Sequence, residues 1–159
     1  MSEDVNEMSD EEIIDRIVSL GFGGDREKFK RFIEILRGGL PEGTGVALRG
    51  SVVTGERWKD GEPFDAEGPC TSDFDVTLIG SKVMEFWDSD AYYIPALHTK
   101  PLGDKDPGIA PALNPLRKRL QELTGRPVNF QATSNLILFG RDMLLGQPYF
   151  NIVEPAEQN

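Results

Sequence analysis

The sequence predicts a mixed α/β domain of the α+β kind, a small mixed sheet flanked by helices. Three observations carry this. The first forty residues hold two apolar stripes of helical period. Short apolar runs bounded by glycine, proline or polar residues recur further on and read as strands. The segments follow one another in the order ααβ, loop, βα, loop, αβ, with no internal repeat. A chain of 159 residues suits one domain, expected over residues 1–159, with residues 1–8 flexible and 56–71 a long inserted loop.

Ser9 and Glu12 form a capping box, after which Ile13, Ile14, Ile17, Val18 and Leu20 give one apolar face that stops at Gly21–Gly24. Asp25 begins a second helix with Phe29, Phe32, Ile33 and Leu36 at i, i+3, i+4 and i+7, ended by Gly38, Gly39 and Pro41. Its basic residues Arg26, Lys28, Lys30, Arg31 and Arg37 read first as a solvated face. Val46–Leu48 is a short buried strand, and Val52–Gly55 one helical turn. Gly61, Pro63, Gly68 and Pro69 mark residues 56–71 as loop. Trp58 and Phe64 are expected to anchor it. Phe74–Ile79 is the second strand and Lys82–Trp87 a short helix. Residues 88–111 read as irregular, with Tyr92, Tyr93 and His98 packing the loop. Asn114 caps a third helix with Pro115 at its first position; Leu116, Leu120 and Leu123 face inward and Gly125 closes it. Arg126 then sits at a helix C-terminus, where the dipole favours a cation. Pro127–Gln131 is the third strand, Leu136–Phe139 is strand or helix by pattern, Arg141–Leu145 is a turn, and Tyr149–Val153 is a last edge segment.

Composition narrows the function classes. Apolar content of 38% and charged content of 28% are those of a globular protein. A net charge of −10 argues against a strong DNA-binding surface, since phosphate contacts need clustered Lys and Arg. One cysteine, Cys70, and one histidine, His98, leave no disulfide framework, thiolate zinc site or histidine-rich metal site. Beside the acidic pair, Cys70 reads as structural rather than reactive. Without an apolar run near the roughly 20 residues that span a bilayer, or a basic-then-apolar leader, the expectation is no membrane and a cytoplasmic location.

One stretch concentrates the chemistry. A strand ends at Arg49-Gly50-Ser51, and the next begins with Ser72-Asp73-Phe74-Asp75. Strand side chains alternate with period two, so Asp73 and Asp75 share a face. Like charges so close repel unless a cation lies between them, and carboxylate-only ligation suits Mg2+, which binds substrate phosphates as well. A small residue beside Ser51 lets phosphate approach the backbone, while exposed N–H groups and the hydroxyl donate to it. Positioning and charge neutralisation are what nucleotidyl transfer requires.

These residues resemble the DNA polymerase beta-like nucleotidyltransferase superfamily, whose signature is an apolar residue, Gly, then Gly or Ser, with Asp-apolar-Asp/Glu downstream. Here it stands as Leu48-Arg49-Gly50-Ser51 with Gly55, then Ser72-Asp73-Phe74-Asp75-Val76, and the small single-domain members are the most similar. The resemblance covers residues 44–80 and, more loosely, the third strand. It implies a nucleotidyltransferase-like small sheet, an NTP donor, and an acceptor hydroxyl on protein, RNA or a small molecule. It implies magnesium held by Asp73 and Asp75, and a triphosphate held by Gly50 and Ser51. Arg49, Ser72 and Lys100 are the further substrate-binding candidates, with Lys105 another charge neutraliser.

The chain departs from that pattern in three ways. Ser51 and Asp73 stand further apart than is usual, which makes residues 56–71 an insertion. The 159 residues hold no helical domain of the kind that many relatives carry. A third carboxylate is expected on the third strand as base, and Asn129 stands there; an amide oxygen can ligate a metal but takes no proton near neutral pH. The base is then Asp75 itself, the substrate, or an acid of the insertion such as Asp65 or Glu67. The alternative reading is a non-catalytic nucleotide- or partner-binding relative, or a toxin or effector domain.

Overall fold

The computed structural model describes residues 7–56, 61–145 and 147–156. Most of residues 1–8, expected to be flexible, and Trp58, expected to anchor the insertion, lie outside this set. Two helices open the fold, α1 (Asp10–Gly21) and α2 (Arg26–Gly39). The Ser9–Glu12 capping box closes reciprocally, at 3.2 Å and 3.1 Å, and the Asp25 carboxylate accepts from the amides of Glu27 and Lys28. Both helix starts therefore lie where the sequence puts them.

The described strands are β1 (Gly45–Arg49), β2 (Phe74–Ile79), β3 (Tyr92–Ile94), β4 (His98–Thr99), β5 (Val128–Thr133) and β6 (Tyr149–Val153). They form one sheet in the order β3-β4-β5-β2-β1-β6. β2 and β5 are parallel, and the other pairings are antiparallel. A mixed α/β fold is thus what the chain adopts, with more sheet than its pattern displays. Residues 88–111, read as irregular, hold β3 and β4, too short and too interrupted by Pro95 for any period to show. β1 gains one residue at each end, and the third strand runs on to Thr133. The remaining helices are α3 (Ser51–Thr54), α4 (Ser81–Met84), α5 (Asn114–Thr124) and α6 (Leu136–Phe139), with a π-helical turn over Gly140–Leu144. The predicted helix over 82–87 therefore ends early, at Met84. Asn114 lies inside α5 rather than capping it: its side chain donates to the Pro107 carbonyl and accepts from Arg117 Nε.

The two faces of the sheet differ in chemistry. On one, Val46, Leu48, Phe74, Val76, Leu78, Val128, Phe130 and Ala132 meet α1, α2, α4 and α5 in a single core. Phe22, Phe32 and Phe74 pack with ring centres 5.3–5.5 Å apart, and each buried phenyl contributes about 1.5–3 kcal/mol. Gly21 is what brings α1 onto β2, because a Cβ there would meet the Phe74 ring at 2.6 Å. Ile33 and Leu123, expected inside, are only partly buried; Ile35 and Arg117 are buried instead. Arg117 is admitted because Asn114, Asp104, Gln121 and the Val128 carbonyl all accept from it. The other face is polar, carrying Arg49, Asp75, Thr77, Asn129, Gln131 and Thr133. It is partly covered by Phe139, whose ring centre lies 5.4 Å from that of His98 and 5.9 Å from the Arg49 guanidinium. His98 is fully buried between Thr133 Oγ1 (2.9 Å) and Asp142 Oδ2 (3.0 Å), packing as expected. Tyr92 packs too and donates to the Met84 carbonyl, whereas Tyr93 is exposed.

Candidate active site

The site grows from strand register. Arg49 of β1 lies opposite Asp75 of β2, and Asp75 opposite Asn129 of β5, so three side chains from three adjacent strands form a row on the polar face. Asp73 stands one residue before β2 and joins this row. Asn129 Nδ2 donates to Asp73 Oδ2 at 2.6 Å and to Asp75 Oδ1 at 3.4 Å. The two carboxylates therefore converge on the Asn129 amide, which donates to both. Arg49 approaches Asp75 Oδ2 at 4.0 Å while donating to Gln131 Oε1 at 2.9 Å. Burial pushes the Asp75 pKa upward; Arg49 pulls it down, Asp73 repels it upward again, the Asn129 amide pulls it down, and the net shift is up.

Gly50 joins β1 to α3 with φ 85° and ψ −160°, a conformation that only glycine adopts without strain. A Cβ there would also stand 3.0 Å from Asp75 Oδ2. The backbone thus passes directly beside the carboxylate, and Ser51 opens α3 at the same corner. Gly103 plays the matching part on the far side. A Cβ at 103 would collide with Asn129 Oδ1. Leu102 pairs with Phe130 through two backbone hydrogen bonds, of 2.6 Å and 2.9 Å, which brings this loop against β5.

A cleft of about 670 Å3 opens over these residues, lined by Gly50, Ser51, Ala66, Glu67, Thr71, Ser72, Asp73, Asp75, Lys105 and Gln147. Its size is that of a small-molecule site. Of Lys100 and Lys105, only Lys105 lines it. Lys100 follows β4, its amide donating to the Ala91 carbonyl and its carbonyl accepting from Trp87 Nε1. Arg117 braces the correct loop, because it holds Asp104, the residue before Lys105, at 2.8 Å.

The insertion forms the opposite wall. Asp65 and Ser72 hold each other reciprocally: the Asp65 amide donates to Ser72 Oγ (2.7 Å), and the Ser72 amide donates to Asp65 Oδ1 (2.9 Å). Arg126 donates to both Asp65 oxygens, at 2.8 Å and 3.1 Å, and to the Ser72 carbonyl at 2.8 Å. Its guanidinium lies 4.6 Å from the Phe64 ring centre and 5.6 Å from that of Phe74. Arg126 is therefore a staple between the insertion and the body rather than a cation placed for a helix dipole. Burial pushes the Asp65 pKa up, but hydrogen bonds from Arg126 and the Ser72 amide outweigh it and hold the carboxyl below its usual range. An ion-paired Asp65 makes a poor base; among the described acids of this loop, Glu67 lines the cleft. Phe64 anchors the loop as expected. Cys70 is exposed and stands 4.0 Å from the Arg126 guanidinium.

The donor set fits a hard cation. Asp73 and Asp75 offer converging carboxylate oxygens, and Asn129 offers an amide oxygen once its amide turns over; all are oxygen ligands of the kind magnesium takes. Among the described residues no group of three or more His, Cys, Asp or Glu comes together, so the ligands would be two acids and an amide. Compared with protein-family models, curated proteins and solved structures, the chain matches none. Among the described residues no helix is long and apolar enough to cross a membrane.

Proposed function

We propose that this chain is a magnesium-dependent nucleotidyltransferase, moving a nucleoside monophosphate from an NTP to a hydroxyl of a protein, RNA or small-molecule acceptor. The observation that carries this reading is the meeting of the Gly50–Ser51 corner with Asp73 and Asp75 in one cleft, with Asn129 donating to both acids. Asp73 and Asp75 hold the magnesium, which when bound neutralises and aligns phosphate oxygens. Gly50 leaves room for phosphate against the backbone, and the Ser51 hydroxyl donates to it. Lys105 offsets charge from the loop side. The acceptor oxygen forms a bond to the α-phosphorus, pyrophosphate leaves, and the hydroxyl proton passes to a nearby carboxylate, a role we assign to Glu67 of the cleft lining.

One observation favours a second reading. Asn129 donates to both acids and cannot accept the acceptor's proton, as in a nucleotide- or partner-binding relative without catalysis. Incubating the chain with each labelled NTP, magnesium and a cell extract separates the two. Transfer is expected to label one class of acceptor, and Asn129→Asp to raise the rate by about 10²-fold by restoring a base. Magnesium-dependent NTP binding with no labelled product from either protein would support the second reading.

A further inference from the structure

A second crevice lies at the other pole of the sheet. β2 and β5 are adjacent and parallel. The chain leaves β2 for α4, whose Val83 and Met84 join the apolar core, and leaves β5 for α6, whose Phe139 covers the polar face. Connections departing to opposite faces open a gap beyond the carboxyl ends of the two strands, the place where α/β sheets bind ligands. A pocket of about 450 Å3 occupies that gap. The candidate active site lies at the amino ends of the same strands, one strand length away, about 17 Å.

The chemistry of the wall specifies a ligand. Glu42 and Lys82 both line the pocket, and among the described residues neither side chain has an ion-pair or hydrogen-bond partner, so they do not meet each other. Ser134 Oγ and Thr44 Oγ1 spend their protons on the carbonyls of Ala96 and Pro41, which leaves their lone pairs free to accept. Ile79, Leu97 and Ala156 add apolar surface to the same lining. An unpaired anion and cation lining one pocket, with apolar residues in the same lining, complement a molecule carrying an ammonium, a carboxylate and a small apolar body.

We propose that this pocket binds a zwitterionic amino acid with an apolar side chain, the ammonium on Glu42 and the carboxylate on Lys82. The site does not depend on the nucleotidyltransferase reading, and Asp73→Ala should bind the same ligand equally well. Calorimetric titration of the full chain with L-leucine, 4-methylpentanoate and 3-methylbutylamine tests it. Leucine is expected to bind about tenfold or more tighter than either singly charged analogue, and Glu42→Gln or Lys82→Gln to lose about five- to tenfold. The double exchange Glu42→Lys with Lys82→Glu should recover binding, because the ligand can reverse. Both positions are exposed, so these variants should fold, as circular dichroism would check. Leucine binding no tighter than the analogues, or unaffected by both glutamine variants, would overturn the proposal.

Discussion

Asp73→Ala and Asp75→Ala are each expected to lower nucleotidyl transfer by about 10³-fold, on the order of 4 kcal/mol of transition-state stabilisation, with the fold retained. Each removes one of the two carboxylates that converge at Asn129 Nδ2. The two losses differ in character. Asp73 stands just outside β2, so its removal takes away one ligand. Asp75 also faces Arg49 at 4.0 Å, and its loss leaves that guanidinium without its counter-charge on the polar face. Asp75→Asn, which keeps the shape, separates the two effects: it should be as inactive as the alanine variant but more stable. The check is the initial rate of label transfer alongside thermal unfolding of each variant.

Arg126→Ala carries the largest expected effect on stability, about 2–4 kcal/mol, somewhat under the usual figure for breaking a buried ion pair because 23% of the Asp65 side chain remains exposed. The substitution strands Asp65, frees the Ser72 carbonyl and removes the cation between Phe64 and Phe74. A pH dependence follows with a definite sign. Asp65 has its pKa lowered in the folded chain, so its contribution is complete above the unfolded value of about 3.9 and fades as the pH drops through the folded value. Denaturant unfolding across that acid range should show a steeper loss of stability in the native chain than in Arg126→Ala or Asp65→Asn. Equal slopes would mean that the staple does not form. Because Ser72 adjoins Asp73, the same variants should also weaken nucleotide binding.

What could be read from the sequence was local. The capping box at Ser9–Glu12 and the cap at Asp25 involve residues two or three apart, so the chemistry of each helix start is written where it occurs. The shared face of Asp73 and Asp75 follows from strand period in the same way. Register was not legible. The row Arg49–Asp75–Asn129 joins strands separated by the insertion and by α5. Asn129 could be placed on the third strand, but nothing local shows that it would bridge both acids. Lys100 and Lys105 have similar surroundings in sequence. Only the pairing of Leu102 with Phe130 decides which lysine reaches the cleft. Arg126 follows a helix, which suggests a dipole role, yet its partner Asp65 lies 61 positions upstream. β3 and β4 are visible only through the neighbour that pairs with them.

One cleft is proposed to hold magnesium and a triphosphate together on Asp73, Asp75, Gly50 and Ser51. Calorimetric titration of a non-hydrolysable NTP analogue with and without magnesium tests it without requiring turnover or a known acceptor. Binding to the native chain is expected to depend on magnesium and to be lost on chelation and in Asp73→Ala and Asp75→Ala, while Lys100→Ala binds as the native chain does. Binding that persists without magnesium, or is equally strong in both aspartate variants, would contradict it.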